Sequence, residues 1–96
     1  MKIFRVQSSA GAVCYASQRP DGSYERLQGE LLTGLTSTGE TVAVSGLLAP
    51  LEPTAVLCVG LNYRKHAEEG KQAIPAHPVL FMKTATTVQN PGDPIV

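Results

Sequence analysis

The sequence predicts an α+β fold that is mainly β, with one short helix. Three observations carry this: alternating apolar and polar residues through the first third of the chain, two continuous β-branched apolar runs later on, and a single polar helical stretch between glycines. "MKIFRVQ" alternates Met1, Ile3, Phe4 and Val6 with polar residues, and "AVCYASQ" resumes the pattern after "SSAG", so the two form a predicted hairpin. "RPDGSY" supplies a tight turn, since Pro20 presets its own φ and Gly22 permits a positive one. "SYERLQG" is a third strand and "TVAVSG" another, while "GELLTGL" has room for one or two helical turns.

Pro50 and Pro53 then remove backbone donors within four positions, which marks a connector. The predicted division is a small β-rich domain over residues 1–49 and a second domain that begins at 50 and extends to 96. In the second, "AVLCVG" and "PVLFMK" are strands of the kind that are covered on both faces, a larger core than 96 residues readily supply. The chain stops at Val96, just after a Pro-Gly-Asp-Pro turn and two apolar residues, so the second domain reads as incomplete.

Composition narrows the function classes. Eight basic residues balance eight acidic ones without clustering, which argues against a nucleic-acid or anionic-membrane partner. No apolar run approaches the roughly 20 residues of a membrane span and the N-terminus lacks a secretory apolar block, so a cytoplasmic location is expected. Cys14 and Cys58, both in strand-like surroundings, are expected as buried free thiols without a redox or metal role.

The chemistry concentrates in "GLNYRKHAEEG". Asn62 is the expected helix cap and Gly70 the expected left-handed closure, giving a helix over Tyr63 to Glu69. A helix this short needs tertiary contacts or a ligand to hold it, which suits a mobile flap. His66 and Glu69, spaced i,i+3, share a face, so the carboxylate can accept from one imidazole nitrogen while the other serves as a base. By spacing alone such a pair is ordinarily a solvated surface pair. Arg64, Lys65 and Glu68 are expected in solvent, and His77, between Ala76 and Pro78, in an exposed loop without function. Lys83 ends an apolar strand, where its stem can snorkel.

Together "CVGLNYRKHAEEG", "PVLFMK" and "TVQNPGDPIV" resemble the opening of the catalytic domain of the fumarylacetoacetate hydrolase family, with Lys83 seventeen positions after His66. The resemblance implies a small N-terminal β domain followed by the first strands and lid helix of a mixed β-roll. It also implies a Mg²⁺ or Mn²⁺ ion that chelates a diketo or oxo acid and acts as an electron sink, and a homodimer. Family reactions include hydrolysis of acylpyruvate or fumarylacetoacetate C–C bonds, decarboxylation of oxo acids and isomerisation in aromatic catabolism. His66 matches the family's general base, Glu69 its dyad partner, and Lys83 the cation beside the developing enolate; Asn62 and Tyr63 match positions at the pocket entrance. The family's metal is held by a Glu-x-Glu pair and a further acidic residue, and these 96 residues contain no Glu-x-Glu, so no metal ligand is assigned and the chain alone is expected to be inactive. A non-catalytic β module for assembly is the alternative function.

Overall fold

The structure is a computed structural model that describes residues 1–96. Two antiparallel sheets and one α-helix make up its regular structure. Contacts group Met1–Leu51 with Val88–Val96 as one unit and Glu52–Thr87 as another. That grouping is one of contacts; the division into residues 1–49 and 50–96 stands as a proposal.

In the first unit, β1 (Ile3–Ser8), β2 (Val13–Gln18), β3 (Tyr24–Glu30), β4 (Gly34–Val42) and β5 (Val44–Leu48) form a five-stranded sheet in the order β4-β3-β2-β1-β5. The alternation of the first eighteen residues becomes the β1–β2 hairpin, with Val6 opposite Cys14 and Phe4 opposite Ala16. Val6 and Ala16 are completely buried, and the Phe4 and Tyr24 rings meet edge to face at 5.5 Å on the same side of the sheet. Between β2 and β3 the turn forms as its residues dictate: Gly22 takes φ 85°, and Asp21 accepts hydrogen bonds from the Ser23 backbone N–H (2.9 Å) and hydroxyl (2.7 Å). Those two bonds, the hydroxyl foremost, hold the Asp21 carboxyl below its usual pKa, with a smaller contribution from nearby Arg19.

The helical turns expected in "GELLTGL" are absent. Leu31 to Thr33 form the turn of a β3–β4 hairpin, and the strand starts at Gly34. Two glycines in the left-handed half of backbone space (Gly29 φ 112°, Gly34 φ 135°) permit this, followed by β-branched Thr36, Thr38 and Thr41, which favour an extended chain. A side chain on Gly29 would collide with the Gly34 carbonyl oxygen. Further along this pair the register shifts, and Arg19 bridges the irregularity: its Nε lies 3.3 Å from Glu25 Oε2, its Nη1 donates to Thr41 Oγ1 at 2.7 Å, and its Nη2 donates to the Gly39 carbonyl at 3.1 Å.

At the other edge the connector is fastened by its own backbone. Arg5 and Tyr15, cross-strand neighbours, donate to the carbonyls of Ala49 and Pro50, and the Ala49 N–H donates to Asn90 Oδ1 at 2.9 Å. Asn90 also donates to Asp93 within the Pro-Gly-Asp-Pro turn.

The second unit pairs β6 (Val56–Gly60) with β7 (Val79–Lys83), joined by a segment that contains α1 (Arg64–Glu69). Within these 96 residues one face of the pair is left exposed. Leu57 opposite Met82 and Val59 opposite Leu80 form one exposed apolar face, with Leu57 78% and Leu80 75% accessible. The reason is the strand period of two: alternate residues point oppositely, and only the face carrying Val56, Cys58 and Gly60 is partly covered along β6. Both cysteines are free and half-buried rather than buried. No helix is long and apolar enough to cross a membrane.

Candidate functional site

The helix begins one residue later than expected. Tyr63, not Asn62, is the N-cap residue, with extended backbone (φ −117°, ψ 131°), and no side chain caps the helix. Its carbonyl accepts from the N–H groups of His66 (3.1 Å) and Ala67 (3.2 Å). Asn62 is free of the capping role because Leu61, immediately before it, turns into the left-handed region at φ 50° and redirects the chain.

The helix also ends differently. Gly70 keeps a right-handed conformation (φ −78°), and Lys71 takes the left-handed one at φ 52°. The Lys71 N–H bonds to the Glu68 carbonyl (3.0 Å) and the Gln72 N–H to the Ala67 carbonyl (2.9 Å), the paired bonds of a Schellman closure. Placing the left-handed residue at Lys71 lets α1 keep its last turn through Gly70, whose N–H bonds the His66 carbonyl at 3.1 Å. Only Ala67 of α1 is buried; the remainder of the helix lies in solvent.

His66 and Glu69 are therefore both exposed on a helix of under two turns. No hydrogen bond joins their side chains in this arrangement, although i,i+3 spacing leaves them one side-chain rotation apart. Tyr63, at the start of the helix, is 73% accessible. Lys83 lies opposite Val56, whereas the chain enters the helical segment from Gly60, which lies opposite Val79. Four steps along the strand separate those two pairs, roughly 13 Å. Lys83 shares its face of the hairpin with Phe81, Cys58 and Val56.

A cleft of about 280 Å³ opens where the two halves of the β6–β7 connection meet. Leu61, Asn62 and Arg64 line it from one side, and Ile74, Pro75 and His77 from the other. Of the expected site residues only Asn62 lines it. Arg64 and His77, expected in solvent and exposed in the structure, border it as well. The signal that finds them is the strand register: pairing Gly60 with Val79 brings the residues just after β6 against those just before β7. A second cleft, of about 360 Å³, lies in the first unit beside Cys14, and there the cation is already matched, with Arg26 3.6 Å from Glu40.

Residues 55–96 match the family model described as fumarylacetoacetate (FAA) hydrolase, C-terminal. Through this segment the chain is a fumarylacetoacetate hydrolase family protein. Among relatives within this family, a Dictyostelium discoideum protein, fumarylacetoacetate hydrolase domain-containing protein 2 homolog, is 46% identical over 48 residues, which is 50% of this chain and 16% of the relative. A Xenopus laevis protein, oxaloacetate tautomerase fahd2, mitochondrial, is 40% identical over 50 residues, 51% of this chain and 16% of its own length. The fold is similar to a solved structure of an uncharacterized protein from Mycobacterium abscessus, with a TM-score of 0.66 and 29% identity, covering 91% of this chain and 34% of that one. The chain thus spans between 16% and 34% of the length of these proteins. The family-matched segment holds β6, α1, the cleft and β7, and with them every candidate site residue.

Proposed function

We propose that this chain carries the acid/base segment of a fumarylacetoacetate hydrolase family enzyme that acts on oxo acids or diketo acids through an enolate. His66 takes the proton from the carbon beside the ketone. The C–H electron pair becomes the carbon–carbon double bond, and the carbonyl oxygen gains the displaced pair and then a proton, which completes a keto–enol interconversion. Glu69 accepts a hydrogen bond from the second imidazole nitrogen, fixing the tautomer and favouring the protonated ring that results. Lys83 stabilises the developing oxyanion, and Asn62 and Tyr63 stand at the entrance. C–C hydrolysis and decarboxylation pass through the same enolate and remain within this reading.

The observation that carries it is the exposure of His66 and Glu69, one turn apart on a short helix within the family-matched segment. The Xenopus laevis relative, whose name is oxaloacetate tautomerase, supports the choice of proton transfer on an oxo acid. Adjacent Glu68 and Glu69 diverge by about 100° on their helix, so the two do not chelate one ion as a Glu-x-Glu pair does. A Mg²⁺ or Mn²⁺ ion in the proposed enzyme takes its ligands from other sequence. A cytoplasmic homodimer with a small-molecule substrate completes the proposal.

The test follows enol loss from oxaloacetate by ultraviolet absorbance, and product release from an acylpyruvate, in the intact protein with Mg²⁺. His66→Ala and Glu69→Ala are expected to lower kcat by about 10²- to 10⁴-fold for the base and less for its partner, with KM little changed. Undiminished turnover in both variants overturns the dyad.

A further inference from the structure

The cleft beside α1 holds a cation without a counter-charge. Arg64 and His77 line it together with Asn62, and no acidic side chain contributes to its wall. The ion pairs described for this chain join Arg19 to Glu25 and Arg26 to Glu40; Arg64 has no carboxylate partner, not even Glu68 one turn along its own helix. An i,i+4 pair of that kind contributes only a few tenths of a kcal/mol in water, so little opposes a guanidinium directed into the cleft instead.

The surrounding backbone holds the polar groups in place. Pro75 and Pro78 bracket the loop that carries His77, and a residue before proline is restricted to extended conformations, which narrows the range of the imidazole. Leu61 stands at φ 50°, a conformation that costs an L-residue roughly 1–2 kcal/mol, and it places Asn62 on the cleft wall rather than at the helix cap. Ile74, Pro75 and Leu61 supply the apolar remainder. A small pocket with an apolar wall, one guanidinium fork, one imidazole and one amide matches a planar two-oxygen anion.

We propose that Arg64 and His77 form a carboxylate-binding subsite, with Asn62 as an additional donor, that seats the non-reacting carboxylate of a dicarboxylic or oxo-acid ligand. This rests on the acid/base reading of the segment, which supplies the oxo-acid class of ligand; His66 itself does not line the cleft. The arrangement gives a use to an exposed arginine that joins no ion pair. A carboxylate suits it better than a phosphate, which has more acceptor oxygens than one fork and one imidazole N–H can satisfy.

The experiment measures calorimetric affinity of the intact protein for succinate, with a chelator present so that no metal ion contributes. Arg64→Gln and His77→Gln are compared with Lys65→Gln, a neighbour on α1 that does not line the cleft. Loss of a charge-assisted bond is expected to weaken succinate at least tenfold, to about 100-fold, for Arg64→Gln, with Arg64→Lys intermediate and Lys65→Gln unchanged. Succinate affinity within about twofold of the unmodified protein in both cleft variants, or no succinate binding to the unmodified protein, overturns the subsite. Inorganic phosphate binding as tightly as succinate overturns the carboxylate assignment. Because the readout is binding rather than turnover, its failure is separate from that of the dyad: a kcat loss in His66→Ala alongside an unmoved succinate affinity in Arg64→Gln refutes the subsite alone.

Discussion

Replacing Lys71 by valine tests whether the helix that carries His66 and Glu69 is held by its C-terminal closure. Lys71 occupies φ 52°, and its N–H and that of Gln72 make the two bonds that finish α1, at 3.0 Å to Glu68 and 2.9 Å to Ala67. An unbranched L-residue tolerates this backbone at a cost of roughly 1–2 kcal/mol, and a β-branched one adds a clash of its Cγ atoms with the neighbouring peptide. An additional cost of about 1–2 kcal/mol is expected, which multiplies the population of the opened helix end by about 5 to 30. Lys71→Gly works in the opposite direction, but it also frees the unfolded chain by about 0.4–1 kcal/mol, so it stabilises the closure only slightly. The assay is native-state amide hydrogen exchange at Gln72, whose N–H is protected only while the closure holds. Exchange at Gln72 is expected to accelerate by that factor in Lys71→Val and to slow or stay constant in Lys71→Gly. Equal exchange rates in the two variants refute the claim that the left-handed position at Lys71 sets the end of the helix.

Gly29→Ala forces a Cβ into the Gly34 carbonyl at φ 112°, and a destabilisation of about 2–4 kcal/mol is expected, seen as a fall of 10 °C or more in Tm; a melting point shifted by less than about 2 °C counts against the hairpin geometry. Ser23→Ala removes the main bond that lowers the Asp21 pKa, so that pKa is expected to rise toward the ordinary value in a nuclear magnetic resonance titration. The sign follows from linkage: the folded carboxyl titrates lower than the unfolded one, so the turn's contribution is complete above the ordinary pKa of about 4 and is lost as pH falls through the lower, folded value. An Asp21 titration that is the same with and without Ser23 contradicts the Asx-turn bonding.

Much of the first unit was legible because its residues state their own geometry. Alternation in "MKIFRVQ" and "AVCYASQ" sets which side chains face inward, and "RPDG" leaves few turns to choose from. The "GELLTGL" stretch was not legible as a hairpin, since leucine and glutamate favour helix locally. What decides it is the pairing of Gly29 with Leu35 and Glu30 with Gly34, which no local preference encodes. The helix around His66 was legible in existence, composition and last residue, but it starts one residue late and its left-handed closure falls at Lys71 rather than Gly70. Its boundaries are set by left-handed Leu61 and Lys71, two residues whose types give no warning of positive φ. The cleft was invisible because Arg64 and His77 lie thirteen positions apart and meet only through the register of β6 with β7.

The apolar runs of β6 and β7 show why a sequence without polar punctuation leaves the two faces of a strand undistinguished. In β1 a polar residue at every second position declares which face meets water; in "VLCVG" and "VLFM" both faces are apolar, so the pattern fits burial on both sides. The pairing nonetheless resolves the faces unambiguously. Val56, Cys58 and Gly60 stand with Lys83, Phe81 and Val79, while Leu57 and Val59 stand with Met82 and Leu80. A one-residue slip of this register would turn Lys83 and Phe81 together onto the face of Leu57 and Val59, away from Val56 and Cys58. The position of Lys83 relative to α1 is thus a consequence of register rather than of its own strand, and any role it plays toward an enolate depends on that pairing being kept.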